Sequence, residues 1–244
     1  MTTVRQGRPG PAELQCEGCS LQGACLTRSL PLEELEAFDA IIDRPRPLKR
    51  GEALVRQGES FTSLFVVRSG SLKQVIDVDG RYDQVVHFYL PSETVGLDAI
   101  GEARCPATVL ALERTFVCEL PFAPLERLAT RLPSLRGALY RCMGRELRGD
   151  QRQVCLLSGR TAEQRLAGFL LGLSERFHAR GCSRYRFHLA MSRADIGSHL
   201  GLALETVSRV MGRFQRQGLV AMAGREVTLR SLEGLTAIAE NGPR

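Results

Sequence analysis

The sequence predicts an α+β protein built from an N-terminal β jelly-roll domain, a long dimerisation helix and a C-terminal winged helix-turn-helix. Short β-branched and aromatic runs, cut by glycines between residues 48 and 120, are typical of a sandwich or barrel. A long apolar repeat then indicates helix pairing, and two short helices around a glycine turn indicate the helix-turn-helix. The predicted parts are a cysteine-rich segment (1–29), a β-barrel domain (30–130), the dimerisation helix (131–158) and the winged domain (159–244).

Composition supports a folded protein of two domains rather than a membrane or secreted chain. The 244 residues are 43% apolar, which is enough for two cores. No apolar stretch reaches the roughly 18 residues of a membrane span, and the N-terminus lacks the apolar region of a secretory signal. We therefore expect a cytoplasmic protein whose eight cysteines stay reduced. The net charge of +6 modestly favours a polyanionic partner.

Three cysteines near the N-terminus, Cys16, Cys19 and Cys25, have the spacing C-x2-C-x5-C. Gly18 and Gly23 lie between them and allow the backbone to bend tightly. Thiolates this close repel one another unless they share a metal, so the spacing indicates a soft metal centre. An iron–sulfur cluster normally needs four thiolates, which predicts a distant fourth cysteine. Spacing alone does not separate iron–sulfur from zinc, and an oxidised cysteine pair is a further alternative.

The next segments predict structure without chemistry. A short helix is expected over Leu32–Ile42, ended by Pro45 and Pro47. No phosphate loop, dinucleotide fingerprint, nucleophile elbow or zinc-protease motif follows, so we expect a scaffold and no enzymatic activity. The predicted strands are Leu64–Val67, Val75–Val78, Val85–Leu90, Thr108–Leu112 and Thr115–Leu120.

A long helix beginning near Pro133 carries an apolar seam whose members are spaced alternately three and four residues apart. This spacing is typical of paired helices, although a single amphipathic helix lying on its own domain would also produce it. Asp150 is the one charged member, and it would meet its own copy across a two-fold axis. We therefore predict a weak dimer that another event must stabilise. The seam is Tyr140, Met143, Leu147, Asp150, Val154 and Leu157.

The C-terminal part predicts a surface that binds bases. A capping box over Ser192–Asp195 opens one helix, Gly201 makes a turn, and a second helix follows over Ala203–Gln217. Its polar face carries Glu205, Ser208 and Arg209, where a carboxylate can accept from cytosine and an arginine can bind guanine. Alternatively, Glu205 and Arg209 form only an exposed pair four residues apart. Further cations suited to phosphates are Arg193, Arg213 and Arg216.

Several motifs together identify a family. They are VGLDAIG at residues 95–101, ALERTFVCELPF at 111–122, GDQ at 149–151 and MSRADIGSHLGLALETVSRVMGRFQ at 191–215, beside the cysteine spacing. With them the chain resembles the cAMP receptor protein superfamily over residues 30–235. Over nearly its full length it resembles the oxygen-sensing branch of that superfamily, the fumarate–nitrate reduction regulators (FNR, or Anr).

The resemblance implies a ligand set and a mechanism. The fourth ligand of the family corresponds to Cys118, so Cys16, Cys19, Cys25 and Cys118 would bind a [4Fe–4S] cluster. In the family the intact cluster favours a homodimer that binds TTGAT-like palindromes in double-stranded DNA. Oxygen converts the cluster to [2Fe–2S] and yields inactive monomers. The turns near residues 69–71 and 81–83 correspond to surfaces that contact RNA polymerase.

Departures from the family pattern exclude one ligand and leave some details open. Cyclic-nucleotide-binding members need a Glu after the Gly, where this chain has Leu97, and an Arg-Ser pair, where it has Cys105-Pro106. We therefore expect no cAMP binding. Leu204 replaces a Val of the family, which leaves the half-site open. Cys105, Cys142, Cys155 and Cys182 match no ligand position and are expected to be buried or partly buried.

Two other hypotheses remain at this point. The first is a regulator of the same architecture whose cysteines hold zinc or act as a thiol/disulfide redox switch. The second is an iron–sulfur enzyme, which the lack of an acid/base pair, a nucleophile set and a nucleotide loop disfavours.

Overall fold

The computed structural model describes residue 16 and residues 18–21, 23–78, 80 and 82–241. Residues 1–15 of the predicted segment 1–29, and residue 81 of the predicted turn 81–83, lie outside the described residues. The helices are α1 (Leu32–Asp39), α2 (Phe122–Arg131), α3 (Pro133–Leu157), α4 (Ala162–His178), α5 (Arg193–Leu200), α6 (Leu204–Arg216) and α7 (Leu232–Asn241). The strands are β1 (Ala53–Val55), β2 (Ser63–Ser69), β3 (Leu72–Val78), β4 (Tyr82–Tyr89), β5 (Thr94–Val95), β6 (Thr108–Ala111), β7 (Phe116–Pro121), β8 (Arg186–His188), β9 (Val220–Ala223) and β10 (Glu226–Leu229). Two 3₁₀ turns span Leu26–Ser29 and Leu97–Ala99.

Seven strands form two antiparallel sheets in the β-rich domain. One sheet has the order β1-β6-β3-β4 and the other β5-β2-β7, so neighbouring strands are often far apart in sequence. Buried side chains from both sheets, among them Val67, Tyr89, Val109 and Val117, form one apolar cluster between them. The β-branched runs of the sequence supply these residues. With the long helix and the winged domain, this architecture confirms the predicted fold class.

Helix α1 ends earlier than the sequence predicts, at Asp39 rather than Ile42. The reason is a tertiary contact. The backbone of Asp43 exchanges two hydrogen bonds with Glu119, at 2.9 and 2.8 Å, and the chain must leave the helix to reach β7. This return brings the segment after the N-terminal cysteines alongside Cys118.

Helix α3 is 25 residues long, which corresponds to about 37 Å, and begins with Pro133 as predicted. Its inner face buries Leu135, Ala138 and Cys142 against α1, α2 and the N-terminal segment. Within the described ranges, no helix is long and apolar enough to cross a membrane.

The winged domain contains α4 to α7 and a three-stranded sheet in the order β8-β10-β9. The predicted capping box is confirmed, because Ser192 and Asp195 satisfy each other's backbone N–H groups at the start of α5. Gly201 ends α5 with a φ of +63°, a conformation that glycine adopts at little cost. Strand β8 was not predicted, since three residues are too short to show a pattern of alternation.

Gly70, in the turn between β2 and β3, tests how tightly the β-rich domain is packed. A Cβ at Gly70 would lie 2.5 Å from the Thr115 side-chain oxygen and 2.6 Å from the Arg114 carbonyl oxygen. Gly58 has the same φ of +83° but no atom within 4 Å of its added Cβ. We expect Gly58→Ala to lower the free energy of unfolding by about 1 kcal/mol and Gly70→Ala by about 3 kcal/mol, measured by urea denaturation. Equal losses would contradict the close approach at Gly70.

Candidate metal centre and nucleic-acid interface

The four predicted ligands, hereafter the cysteine site, come together beside β7. Cys16 and Cys25 from the N-terminal segment and Cys118 from β7 belong to one apolar cluster. Cys19 lies near enough to Cys118 for its charge to raise the pKa of Cys118, and Cys118 acts in the same way on Cys25. Cys25 in turn raises the pKa of Cys16. The fold therefore places three early thiols and one distant thiol in the same neighbourhood.

Burial favours the protonated form of three of these thiols. It raises the pKa of Cys16, Cys25 and Cys118, and Asp39 raises that of Cys16 further. Arg44 opposes this effect, since its guanidinium lies 3.9 Å from the Cys16 sulfur and lowers the pKa of both Cys16 and Cys118. Asp39 holds Arg44 in place at 2.5 Å. A metal binding here must displace protons, which makes its affinity depend on pH.

The donor chemistry of the cysteine site fits a thiolate-bound centre, because four sulfurs are suitable ligands and one adjacent guanidinium would offset part of their negative charge. The thiols lie near one another but do not have the geometry of a coordination shell. Within the part of the chain that the structure describes, no three Cys, His, Asp or Glu side chains are arranged to hold a metal ion.

The remaining cysteines lie outside this site. Cys105 and Cys142 are buried, as expected, but Cys155 and Cys182 are exposed. The expectation of burial is wrong for these two. Cys155 lies on the solvent-facing side of α3, and Cys182 lies in the loop after α4. A cysteine is small enough to be buried or exposed, so residue type alone did not predict the exposure of these two.

A direct packing path leads from the cysteine site to α3, and sequence reasoning missed it. The 3₁₀ turn Leu26–Ser29 begins immediately after Cys25 and packs against α3. Leu26 is 2% exposed and lies in the same apolar cluster as Leu135 and Ala138 of α3. A turn of four residues shows no periodicity, so only the apolar Leu26 could have hinted at this contact.

The predicted seam lies on the opposite, outer face of α3. Tyr140, Leu147 and Val154 are 65%, 61% and 64% exposed, and Met143 is also exposed. Asp150 is exposed beside them, and Leu157 is partly buried. Partial burial and the charge of Asp98 raise the pKa of Asp150. Large apolar side chains left open in a row favour pairing with a second helix over packing on the chain's own domain.

Helix α6 presents the predicted base-binding face to solvent. Glu205, Ser208 and Arg209 are exposed, whereas Val207 and Phe214 on the other face are fully buried. Ala203 provides no side-chain hydrogen bond at the helix start, and Leu204 is 46% exposed. The start of α6 therefore carries an apolar side chain next to the polar face.

Two of the three arginines predicted to bind phosphates, Arg213 and Arg193, have partners within the chain. Arg213 forms an ion pair with Glu163, a buried residue in the first turn of α4. One nitrogen of Arg193 lies 3.0 Å from the Met222 sulfur, and burial lowers the pKa of Arg193. The sequence does not predict the Arg213–Glu163 pair, because 50 residues separate the two side chains.

Two turns, 69–71 and 81–83, correspond to surfaces that contact RNA polymerase in the family, and the structure describes the first more fully than the second. In the turn 69–71, Ser69 is exposed, but Ser71 is buried and its hydroxyl donates to Glu113 at 2.7 Å. In the turn 81–83, Arg81 and the side chains of Tyr82 and Asp83 lie outside the described residues.

Cys105 and Pro106, which replace the Arg-Ser pair of cyclic-nucleotide-binding members, lie at a small cavity in the β-rich domain. This cavity has a volume of about 10 Å³ and is lined in part by Gly96, Asp98, Cys105 and Pro106. That space suits about one water molecule, not a nucleotide.

The two halves of the chain match known domain families. Residues 45–131 match the cyclic nucleotide-binding domain, and residues 164–238 match the Crp-like helix-turn-helix domain. FixK2 from Bradyrhizobium japonicum has a similar structure, with a TM-score of 0.73 at 27% identity over 80% of this chain and 96% of that one. The fold and the exposed face of α6 thus define a transcription regulator of the Crp/Fnr type.

Comparison with similar proteins identifies the family within this class of regulators. Over 227 residues, the chain is 50% identical to the transcriptional activator protein FnrA of Stutzerimonas stutzeri, covering 93% of each. It is 39% identical to the fumarate and nitrate reduction regulatory protein of Escherichia coli, covering 97% of this chain and 94% of that protein. The chain belongs to the FNR/Anr family of transcription regulators.

The exposed arginine of α6 gives a first test of the nucleic-acid interface. We expect Arg209→Ala to remove about 1–3 kcal/mol of preference for a palindromic site over random DNA, because an arginine fork is lost. Arg213→Ala serves as the contrast and should weaken both kinds of DNA alike. Fluorescence anisotropy at one fixed salt concentration measures both. Equal losses on the two DNAs for Arg209→Ala would contradict base recognition by this residue.

Proposed function

We propose that this protein is an oxygen-responsive transcription regulator in which Cys16, Cys19, Cys25 and Cys118 hold a [4Fe–4S] cluster. When bound, the cluster supplies an oxygen-labile iron–sulfur core. One observation carries the proposal. Cys16, Cys25 and Cys118 share one apolar cluster with Leu26, and the turn Leu26–Ser29 that follows Cys25 packs on the inner face of the helix whose outer face is the seam.

The residues around the cysteine site have distinct roles in this proposal. The four thiols give up their protons to become ligands, and burial makes this step unfavourable at Cys16, Cys25 and Cys118 unless the bound group compensates it. Arg44, oriented by Asp39, provides positive charge next to the sulfurs. Leu26 and Leu120 are buried in the apolar cluster that contains Cys16, Cys25 and Cys118, so they limit the access of water to one side of the site.

Order in the N-terminal segment then affects the seam through α3. When Cys25 binds the cluster, the turn that follows it is held in place. Leu26 of that turn packs against the face of α3 that contains Leu135 and Ala138. The side chain of Ser134 also donates a hydrogen bond to Glu34 of α1, which ties the helix start to the same segment. The seam is marginal because Asp150 opposes its own copy, so a small added stabilisation of α3 shifts the monomer towards the homodimer.

The dimer places two copies of α6 on one double-stranded DNA site. Helix-turn-helix dimers bind half-sites about one helical turn apart, which a two-fold palindrome satisfies. Glu205, Ser208 and Arg209 contact base edges of a TTGAT-like half-site, while Arg193 and Arg213 approach phosphates. The turn at residues 69–71 contacts RNA polymerase. Cyclic AMP has no role, and the protein works in the cytoplasm without enzymatic activity.

A zinc or thiol/disulfide switch on the same scaffold is the second candidate. The raised pKa values of Cys16, Cys25 and Cys118 disfavour the disulfide form of this candidate, because the thiolate and not the thiol is the reactive species. They do not separate zinc from iron, since both metals displace the protons.

The cluster is tested by purification without oxygen, followed by an absorption spectrum and iron and sulfide analysis. We expect about four iron and four sulfide per chain and a broad absorption in the blue that air bleaches. Cys118→Ser should abolish the bound iron and sulfide and the absorption. Cys182→Ser, at an exposed thiol outside the site, should leave all three unchanged. A colourless anaerobic protein with stoichiometric zinc would exclude the cluster.

The seam is tested by Asp150→Ala in protein without cluster. Loss of the facing carboxylates should allow dimers at concentrations where the unaltered chain is monomeric, because like charges no longer meet across the two-fold axis. Sedimentation velocity measures the shift. Glu126→Ala on α2 removes one exposed carboxylate elsewhere and should leave the monomer unchanged. Only monomer in the Asp150→Ala variant would contradict the assigned role.

A further inference from the structure

Helix α5, the first helix of the helix-turn-helix, is held against the β-rich domain of its own chain. At its start, Lys73 of β3 lies 2.6 Å from a carboxylate oxygen of Asp195. The two side chains are only 24% and 14% exposed, so the pair is largely shielded from water. The other carboxylate oxygen of Asp195 accepts from the backbone N–H and the hydroxyl of Ser192. One residue therefore caps α5 and attaches it to β3.

The middle and the end of α5 are held as well. The backbone N–H of Val85 on β4 donates to the Ser198 hydroxyl at 2.9 Å, and the Gln84 side chain donates to the Ser198 carbonyl. The side chain of Gln153 on α3 donates to the His199 carbonyl at 2.8 Å. Together with the Lys73–Asp195 pair, we name these bonds the docking contact. They come from two strands and the long helix, so they fix α5 at three points along its length.

Apolar packing runs across the same boundary. The His199 ring is 4.9 Å from the Phe88 ring of β4 and 5.7 Å from the Phe169 ring of α4, measured between centroids. Val75 and Val85 of the β-rich domain share one buried cluster with the core of the winged domain. Glu93 adds an ion pair with Arg176 of α4 at 2.6 Å. The winged domain is thus attached by a continuous surface, not only by the chain between α3 and α4.

We propose that Lys73 is a positioning residue for DNA recognition, which fixes the direction of α6 within each protomer before two protomers meet. This inference rests on the proposed DNA binding but not on the cluster. Helix α5 contacts α6 directly, so an orientation imposed on α5 is passed to the base-binding face. Two half-sites at a fixed spacing require two α6 helices at a fixed angle, and docking removes that freedom in advance.

The charge of Asp195 supports the pair. Burial alone would raise the pKa of Asp195, but the bonds from Lys73 and Ser192 outweigh it and hold the pKa below its ordinary value. Removal of Lys73 therefore leaves a shielded carboxylate without its cation, which weakens docking. The cap at the start of α5 stays intact, since Ser192 is unchanged.

Lysine chemistry can measure the docking directly. The 33 basic residues include only two lysines, Lys49 and Lys73, and Lys49 is exposed. In the full-length protein we expect an amine-acylating reagent to modify Lys49 about tenfold faster than Lys73, as read by mass spectrometry. Asp195→Asn keeps a capping side chain but should bring the two rates together. Equal rates in the unaltered protein would show that the winged domain is not docked.

DNA binding then tests the positioning role. With anaerobically prepared protein, Lys73→Met should weaken binding to the palindromic site about tenfold. Binding to random DNA should stay unchanged, as should the proportion of dimer. Lys73→Arg should recover most of the affinity, and Lys49→Met should change it less than twofold. Thermal denaturation checks that each variant is folded, and where Lys73→Met is not folded, the Asp195→Asn variant replaces it.

The outcomes separate this inference from the proposed function. If the unaltered protein shows no preference for the palindrome while Lys73 is protected from acylation, the proposed DNA site is wrong but the docking stands. If Lys73 is protected and Lys73→Met binds the palindrome as tightly as the unaltered protein, the positioning role is wrong.

Discussion

Helix α3 has two apolar faces, and the chain covers only one of them. Leu135, Ala138 and Cys142 are buried against the N-terminal segment, while Tyr140, Leu147 and Val154 remain open to solvent. A helix with this division cannot satisfy both faces within one monomer. The arrangement of the other parts follows from this constraint: the cysteine site lies over the covered face, and the winged domain continues from the helix end.

Local patterns predicted much of the fold and of the site. The capping box at Ser192, the amphipathic period of α6 and the seam on α3 are properties of short windows, and the exposed or buried faces agree with them. The cysteine spacing indicated a metal centre, but Cys118 entered only through the resemblance to a family. No local rule could select it from the five cysteines that follow the N-terminal three, because the β2–β7 pairing decides where it lies.

Contacts between distant residues were beyond such rules. Lys73 and Asp195 are 122 residues apart, and Arg213 and Glu163 are 50 residues apart. Each partner alone looks like an ordinary surface charge in the sequence. Only the folded structure shows that Lys73 and Asp195 pair across the two domains, shielded from water, and that Arg213 pairs with Glu163 within the winged domain. Packing within the winged domain explains why Arg193 and Arg213, two of the predicted phosphate contacts, already have partners in the chain.

The uncovered face of α3 also has a consequence for how a cell would tune the regulator. The weak dimer proposed above would obey mass action, so the fraction of paired chains would rise with the total amount of protein as well as with the proposed trigger. Doubling synthesis would move the threshold of the response without any change in the trigger itself. In this proposal the amount of protein would set the threshold of the response, because one helix surface pairs only weakly.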